Sequence, residues 1–147
     1  MIVKLKSLIL SLLPPIAVGL LSFLSVRSSF SLYEKLNLPP LSPPPMVFRW
    51  VWTALYILMG VTAYLLKECK TKTADKALKF YYLSLLFNLL WPIVFFRFQM
   101  YTLALIILII LWVLVFIYTF LSTFCKGRIW WLSVPYLLWL SYAAYLN

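Results

Sequence analysis

The stretch Pro39-Pro40-Leu41-Ser42-Pro43-Pro44-Pro45-Met46-Val47-Phe48-Arg49-Trp50-Val51-Trp52-Thr53-Ala54-Leu55-Tyr56 changes character halfway along. Its first seven residues include five prolines, which exclude helix and favour extended polyproline geometry. From Val47 the chain is apolar and aromatic with no further proline until Pro92, which reads as a long helix. A stiff segment feeding aromatics into a hydrophobic helix predicts the cover and wall of a ligand pocket.

Outward from that point the chain is uniformly apolar. It is 65% hydrophobic and 19% aromatic over 147 residues, without histidine. Its mean hydropathy is +1.00. A globule of this size buries too little surface to hide that much apolar area from water, so lipid is the expected solvent. Five stretches are near the length needed to cross a bilayer: Leu8–Val26, Val47–Leu66, Phe80–Phe96, Tyr101–Phe124 and Ile129–Leu146. Backbone groups in hydrocarbon must pair within their own segment, so these spans are read as helices. The expected fold is an all-α membrane protein, a bundle of five transmembrane helices. The proline-rich connection Arg27–Met46 serves as a lid loop between the first two. The remaining prolines, Pro14, Pro15, Pro92 and Pro135, fall inside spans.

The formal net charge of +10 does not point to nucleic acid, because Lys and Arg gather at the ends of spans and would meet lipid headgroups. With the N-terminus inside, Lys4, Lys6, Lys67, Lys70, Lys72, Lys76, Lys79, Lys126 and Arg128 share the inner face. Arg27, Lys35, Arg49 and Arg97 are then outside. That imbalance places the N-terminus inside and the C-terminus outside. Lys4 and Lys6 before an apolar run also fit a signal peptide. The central Pro14-Pro15 pair and the lack of a small-residue cleavage site argue against it. Cys69 and Cys125 fall near the inner face and are expected as reduced, idle thiols. With no histidine and only Glu34, Glu68 and Asp75 as acids, all in polar connections, no metal site is expected. No nucleophile–base pair, paired carboxylates or glycine-rich phosphate loop appears, so an enzyme is not the leading reading.

Candidate binding residues follow from helical spacing. Ser84, Asn88, Trp91 or Pro92, and Phe95 share one stripe of the third span. Pro92 lacks an amide hydrogen and so frees the Asn88 carbonyl. Asn88 is also the expected interhelical hydrogen-bond donor or acceptor of the bundle. Trp52, Tyr56, Met59 or Gly60, and Ala63 form a face of the second span, with Trp50 pointing away from it. Trp131, Pro135, Trp139 and Tyr142 form one in the fifth, where the mid-span Trp139 indole needs a partner. Gly19 and Gly60 are expected close-approach points. The fourth span reads as structural, with a wide lipid-facing surface.

Three blocks, residues 39–60, 87–96 and 134–147, resemble the TspO/MBR family of translocator or tryptophan-rich sensory proteins. The resemblance implies a single five-helix domain over residues 1–147. It also implies a possible homodimer, although no GxxxG pattern occurs in this chain. It implies a cavity for porphyrin or another tetrapyrrole, or a comparable flat hydrophobic small molecule, with no cofactor. Carried over, the ligand-binding positions are Trp52, Tyr56, Asn88, Trp91 and Trp139, with Tyr33, Pro43 and Pro44 on the loop side. Arg27, Lys35 or Arg49 at the rim would suit propionates. The implied alternatives are light-dependent porphyrin degradation and porphyrin transport. Leu41 and Met46 stand where relatives often carry Trp, and Arg49 and Arg97 replace small or proline residues. No Lys or Arg follows Tyr136, Tyr142 or Tyr145, so the sterol pattern of animal members is missing.

Overall fold

The computed structural model describes residues 2–29, Ser31, Lys35 and 40–147, with Pro45 described by its backbone alone. Five α-helices and no strand occur among the described residues. They are α1 (Leu5–Val26), α2 (Pro45–Cys69), α3 (Lys72–Pro92), α4 (Tyr101–Ser122) and α5 (Val134–Leu146). Part of the connection expected to act as a lid, Tyr33 included, lies outside the described residues.

Each boundary has a local cause. Pro45 occupies the first position of α2, where its missing amide hydrogen costs nothing. Lys70 ends that helix in the left-handed conformation, at φ 53°. Thr71 then caps α3 by accepting a hydrogen bond from the Ala74 amide at 3.1 Å. That cap starts the helix eight residues before the predicted Phe80. The first two turns, carrying Lys72, Lys76 and Lys79, are exposed on their outer side, while Ala74 and Ala77 pack inward.

Four helices are long and apolar enough to cross a bilayer. Helix α5 is shorter, at 13 residues. The expected span from Ile129 is divided: Ile129–Leu132 form a 3₁₀ turn before α5 begins. Together the two pieces rise about 28 Å, close to the hydrocarbon thickness. Pro135 therefore lies in the first turn of a helix and breaks no helical hydrogen bond there. In α1, by contrast, Pro14 and Pro15 lie inside a continuous helix. Ser11, whose carbonyl Pro15 leaves without its helical partner, accepts a hydrogen bond on its hydroxyl from Lys67 of α2 at 3.2 Å.

Helix α1 packs against α2 and α3; α4 packs against α3 and α5. The α1–α2 seam depends on Gly60. A Cβ built there would lie 2.9 Å from the Leu12 Cα, so the backbones meet without room for a methyl group. The predicted stripes of α2 and α3 face inward: Met59, Ala63, Ser84, Asn88, Trp91 and Phe95 are all buried, whereas Trp50 is 70% exposed. The stripe predicted for the fifth span does not: Trp131 and Pro135 are exposed, and α5 turns Tyr136, Leu140 and Ala143 inward instead. On α4, Leu108, Leu111 and Val115 face the bundle, while Ile106, Ile109, Val113 and Phe116 form an apolar outer face.

The expectation for the two cysteines is overturned. Cys69 and Cys125 are not free thiols; they form a disulfide across 56 residues, with Cα atoms 6.0 Å apart. Packing brings the C-terminal end of α2 beside the segment following α4, and nothing in the linear spacing announces that meeting.

Candidate functional site

The site is built around an interrupted helix. After Pro92 the chain continues as a π-helical turn, Ile93–Arg97, in which the Phe98 amide donates to the Ile93 carbonyl at 3.2 Å. Val94, Phe95 and Phe96 are buried in succession along this wider turn. Phe95 and Phe96 pack edge to face at 4.8 Å, and Trp91 stacks on Phe95 at 5.4 Å.

Trp52 of α2 lies at the centre of the aromatic cluster. Its ring lies 5.6 Å from Tyr56 and 6.4 Å from Trp91, the latter stacked. It meets Tyr136 and Trp139 edge-on at 6.3 and 6.5 Å. Rings from three helices thus converge, as aromatic quadrupoles favour in offset and edge-to-face pairs. Beneath them, the Tyr56 hydroxyl donates to Asn88 Oδ1 at 2.9 Å. The Asn88 side-chain amide donates in turn to the Tyr136 hydroxyl. This chain of hydrogen bonds joins α2, α3 and α5, so Asn88 acts as a structural tie of the bundle.

Asn88 also faces a cavity of about 460 Å³, within the usual range for small-molecule sites. Helix α2 supplies Phe48, Arg49, Trp52, Thr53 and Tyr56 to its wall. Helix α3 supplies Asn88, Trp91 and Pro92, and the π turn adds Phe96. The third side is α1, through Ile16, Gly19, Leu20, Ser22 and Val26. Sequence reasoning gave α1 only a packing role, because its aliphatic residues carry no polar or aromatic signature. Gly19 is the one signal that was legible. A Cβ there would fall 2.6 Å from Tyr56 Cε2, so the missing side chain makes space for the wall ring. Ser22 Oγ is buried beside Tyr56. Ile16, Leu20, Arg49 and Thr53 are exposed as well as lining, so the cavity opens to the exterior in the half of the bundle nearest the α1–α2 connection.

The remaining candidates fall elsewhere. Trp139 is not part of the cavity wall. It sits behind it, against Phe48 at 5.7 Å and Trp52, and its buried indole N–H has no partner among the described residues. Pro43 and Pro44 lie just ahead of α2, with Pro44 as its N-terminal flanking residue, and neither lines the cavity. The preceding residues are tied to α5: Tyr142 donates to the Leu41 carbonyl and Tyr145 to that of Pro40 at 3.1 Å.

Fold and cavity define a multi-pass membrane protein with a ligand-sized, aromatic-walled hollow. The TspO/MBR family model matches residues 11–147. A tryptophan-rich sensory protein of Cereibacter sphaeroides is 36% identical over 117 residues, covering 78% of this chain and 72% of that protein. The tryptophan-rich protein TspO of Archaeoglobus fulgidus is 30% identical over 141 residues, covering 95% and 92%. Protein CrtK of Rhodobacter capsulatus is 31% identical over 121 residues, covering 78% and 73%. The chain belongs to the TspO/MBR family.

Proposed function

We propose that this protein binds a flat hydrophobic ligand of the tetrapyrrole class in the cavity between α1, α2 and α3. The observation that carries the reading is the cavity of about 460 Å³ whose wall includes Trp52, Tyr56 and Trp91. Apolar burial and ring contact supply the affinity, while Asn88, Tyr56 and Ser22 supply the polar contacts that set orientation. The word sensory in the name of the Cereibacter sphaeroides relative fits a protein whose output is ligand occupancy. Trp139 supports the wall through Phe48 and Trp52.

The test is titration of the detergent-solubilised protein with protoporphyrin, followed by quenching of tryptophan fluorescence. Trp52→Ala is expected to weaken binding at least tenfold. Trp139→Ala, acting through Trp52, is expected to weaken it less. Saturable quenching that survives Trp52→Ala and Trp91→Ala unchanged would place the ligand elsewhere.

A further inference from the structure

We propose that Arg49 makes the cavity selective for ligands that carry an anionic group on one edge, a carboxylate in the simplest case. The inference rests on the cavity being the ligand site. Three basic residues were candidates for the rim on sequence grounds, and the structure separates them. Arg49 is part of the cavity wall, whereas Arg27 lies in the 3₁₀ turn after α1 and Lys35 in the following connection, and neither lines it. Arg97, at the end of the π turn, is exposed and also outside the wall. The cluster at the other end of α2, beginning at Lys67, lies about 27 Å away along the helix axis. Among the described residues Arg49 is therefore the single cation of the wall.

Its position gives the cavity a polarity. Arg49 is one turn inside α2 and exposed, at the open end. Tyr56, bonded to Asn88, is about 10 Å deeper along the same helix. Around them the wall is mostly apolar, with Phe48, Trp52 and Ile57 on α2 and Ile16, Leu20, Phe23 and Val26 on α1; Thr53 and Ser22 are its other polar side chains on these two helices. Thr53 does not compete for the guanidinium, because its hydroxyl donates to the Arg49 carbonyl at 2.9 Å. A guanidinium has five N–H donors in a planar fork that suits a carboxylate, so an acid can be added to the contacts Arg49 already makes. At the edge of a low-dielectric site such a charge-assisted pair is stronger than in water. An amphipathic molecule would lie with its acid at the mouth and its apolar body against Trp52. A neutral molecule of the same shape would gain the ring contacts alone.

The experiment compares protoporphyrin with its dimethyl ester, in wild type and in Arg49→Gln, by the same quenching titration. The readout is the change in the acid-to-ester affinity ratio on substitution, which cancels the different partitioning of the two probes into detergent. Wild type is expected to favour the acid roughly tenfold more strongly than Arg49→Gln does, the substitution weakening acid binding more than ester binding. Arg49→Lys is expected to recover part of the preference. An acid-to-ester ratio that is the same in both proteins overturns the inference while leaving the cavity as the binding site. Failure of both probes to bind wild type overturns it together with the reading it rests on.

Discussion

Two glycines test the packing argument against each other. At position 19 an added methyl would lie 2.6 and 2.7 Å from Tyr56 Cε2 and Cδ2, about 1 Å inside ordinary carbon contact. The obstructing atoms belong to a side chain, so the ring can retreat. Its hydroxyl is held by Asn88 and its face by Trp52 at 5.6 Å, so retreat strains both contacts and reshapes the cavity wall. At position 60 the methyl would lie 2.9 Å from the Leu12 Cα, and a backbone cannot step aside without parting α1 from α2. Overpacking of this kind costs about 1–3 kcal/mol, with Gly60→Ala expected near the top and Gly19→Ala near the bottom. For a chain of this size about 4 °C of Tm accompanies each kcal/mol. Gly60→Ala should therefore lower Tm in detergent by roughly 8–12 °C, and Gly19→Ala by about 4 °C. Porphyrin titration should rank them the other way, with Gly19→Ala losing more affinity than its stability loss would suggest. An unchanged Tm in Gly60→Ala would refute the close-approach argument. Wild-type titration curves in Gly19→Ala would refute the placement of Tyr56 in the ligand wall.

Other outcomes follow from single contacts. Asn88→Leu removes both tyrosine partners and leaves two buried hydroxyls, so it should destabilise by about 1–3 kcal/mol, with Tyr56→Phe milder; equal Tm values for Asn88→Leu and wild type would contradict the tie. Reducing Cys69–Cys125, or Cys69→Ser, releases a closed loop of 56 residues and should cost up to about 4 kcal/mol on chain-entropy grounds. A melting curve unmoved by reductant, with thiol release confirmed by alkylation, would show that the bundle does not depend on the bond. If the N-terminus is inside, as expected from the Lys and Arg count, a C-terminal reporter active only outside the cytoplasm should be active; an inactive reporter and an active N-terminal one would reverse the expectation.

What could be read without coordinates was whatever follows from periodicity and from proline. The inward stripes of α2 and α3 were legible because 3.6-residue spacing fixes which side chains share a face. Asn88 was legible because a lone amide in hydrocarbon needs partners. Gly19 and Gly60 were legible as close-approach points, though not what they approach. Helix ends were read less well. Thr71 is a capping residue inside a lysine-rich stretch, and Pro135 reads as lying inside a span until the 3₁₀ turn before it is seen.

The amino-acid sequence by itself determined the solvent and the class of fold: apolar runs of membrane length leave the backbone no choice but to pair within each helix. It also determined which residues could meet, since each stripe is a property of one helix. Which stripes do meet was decided only by the tertiary structure. The third wall of the cavity is α1, whose aliphatic side chains look the same in sequence whether they face lipid or ligand. Trp139 stands behind Trp52 because the azimuth of α5 is set by packing. Cys69 reaches Cys125 because two helix ends converge. Contacts between distant segments depend on how the helices are turned and placed against one another, and no spacing along a single chain encodes that.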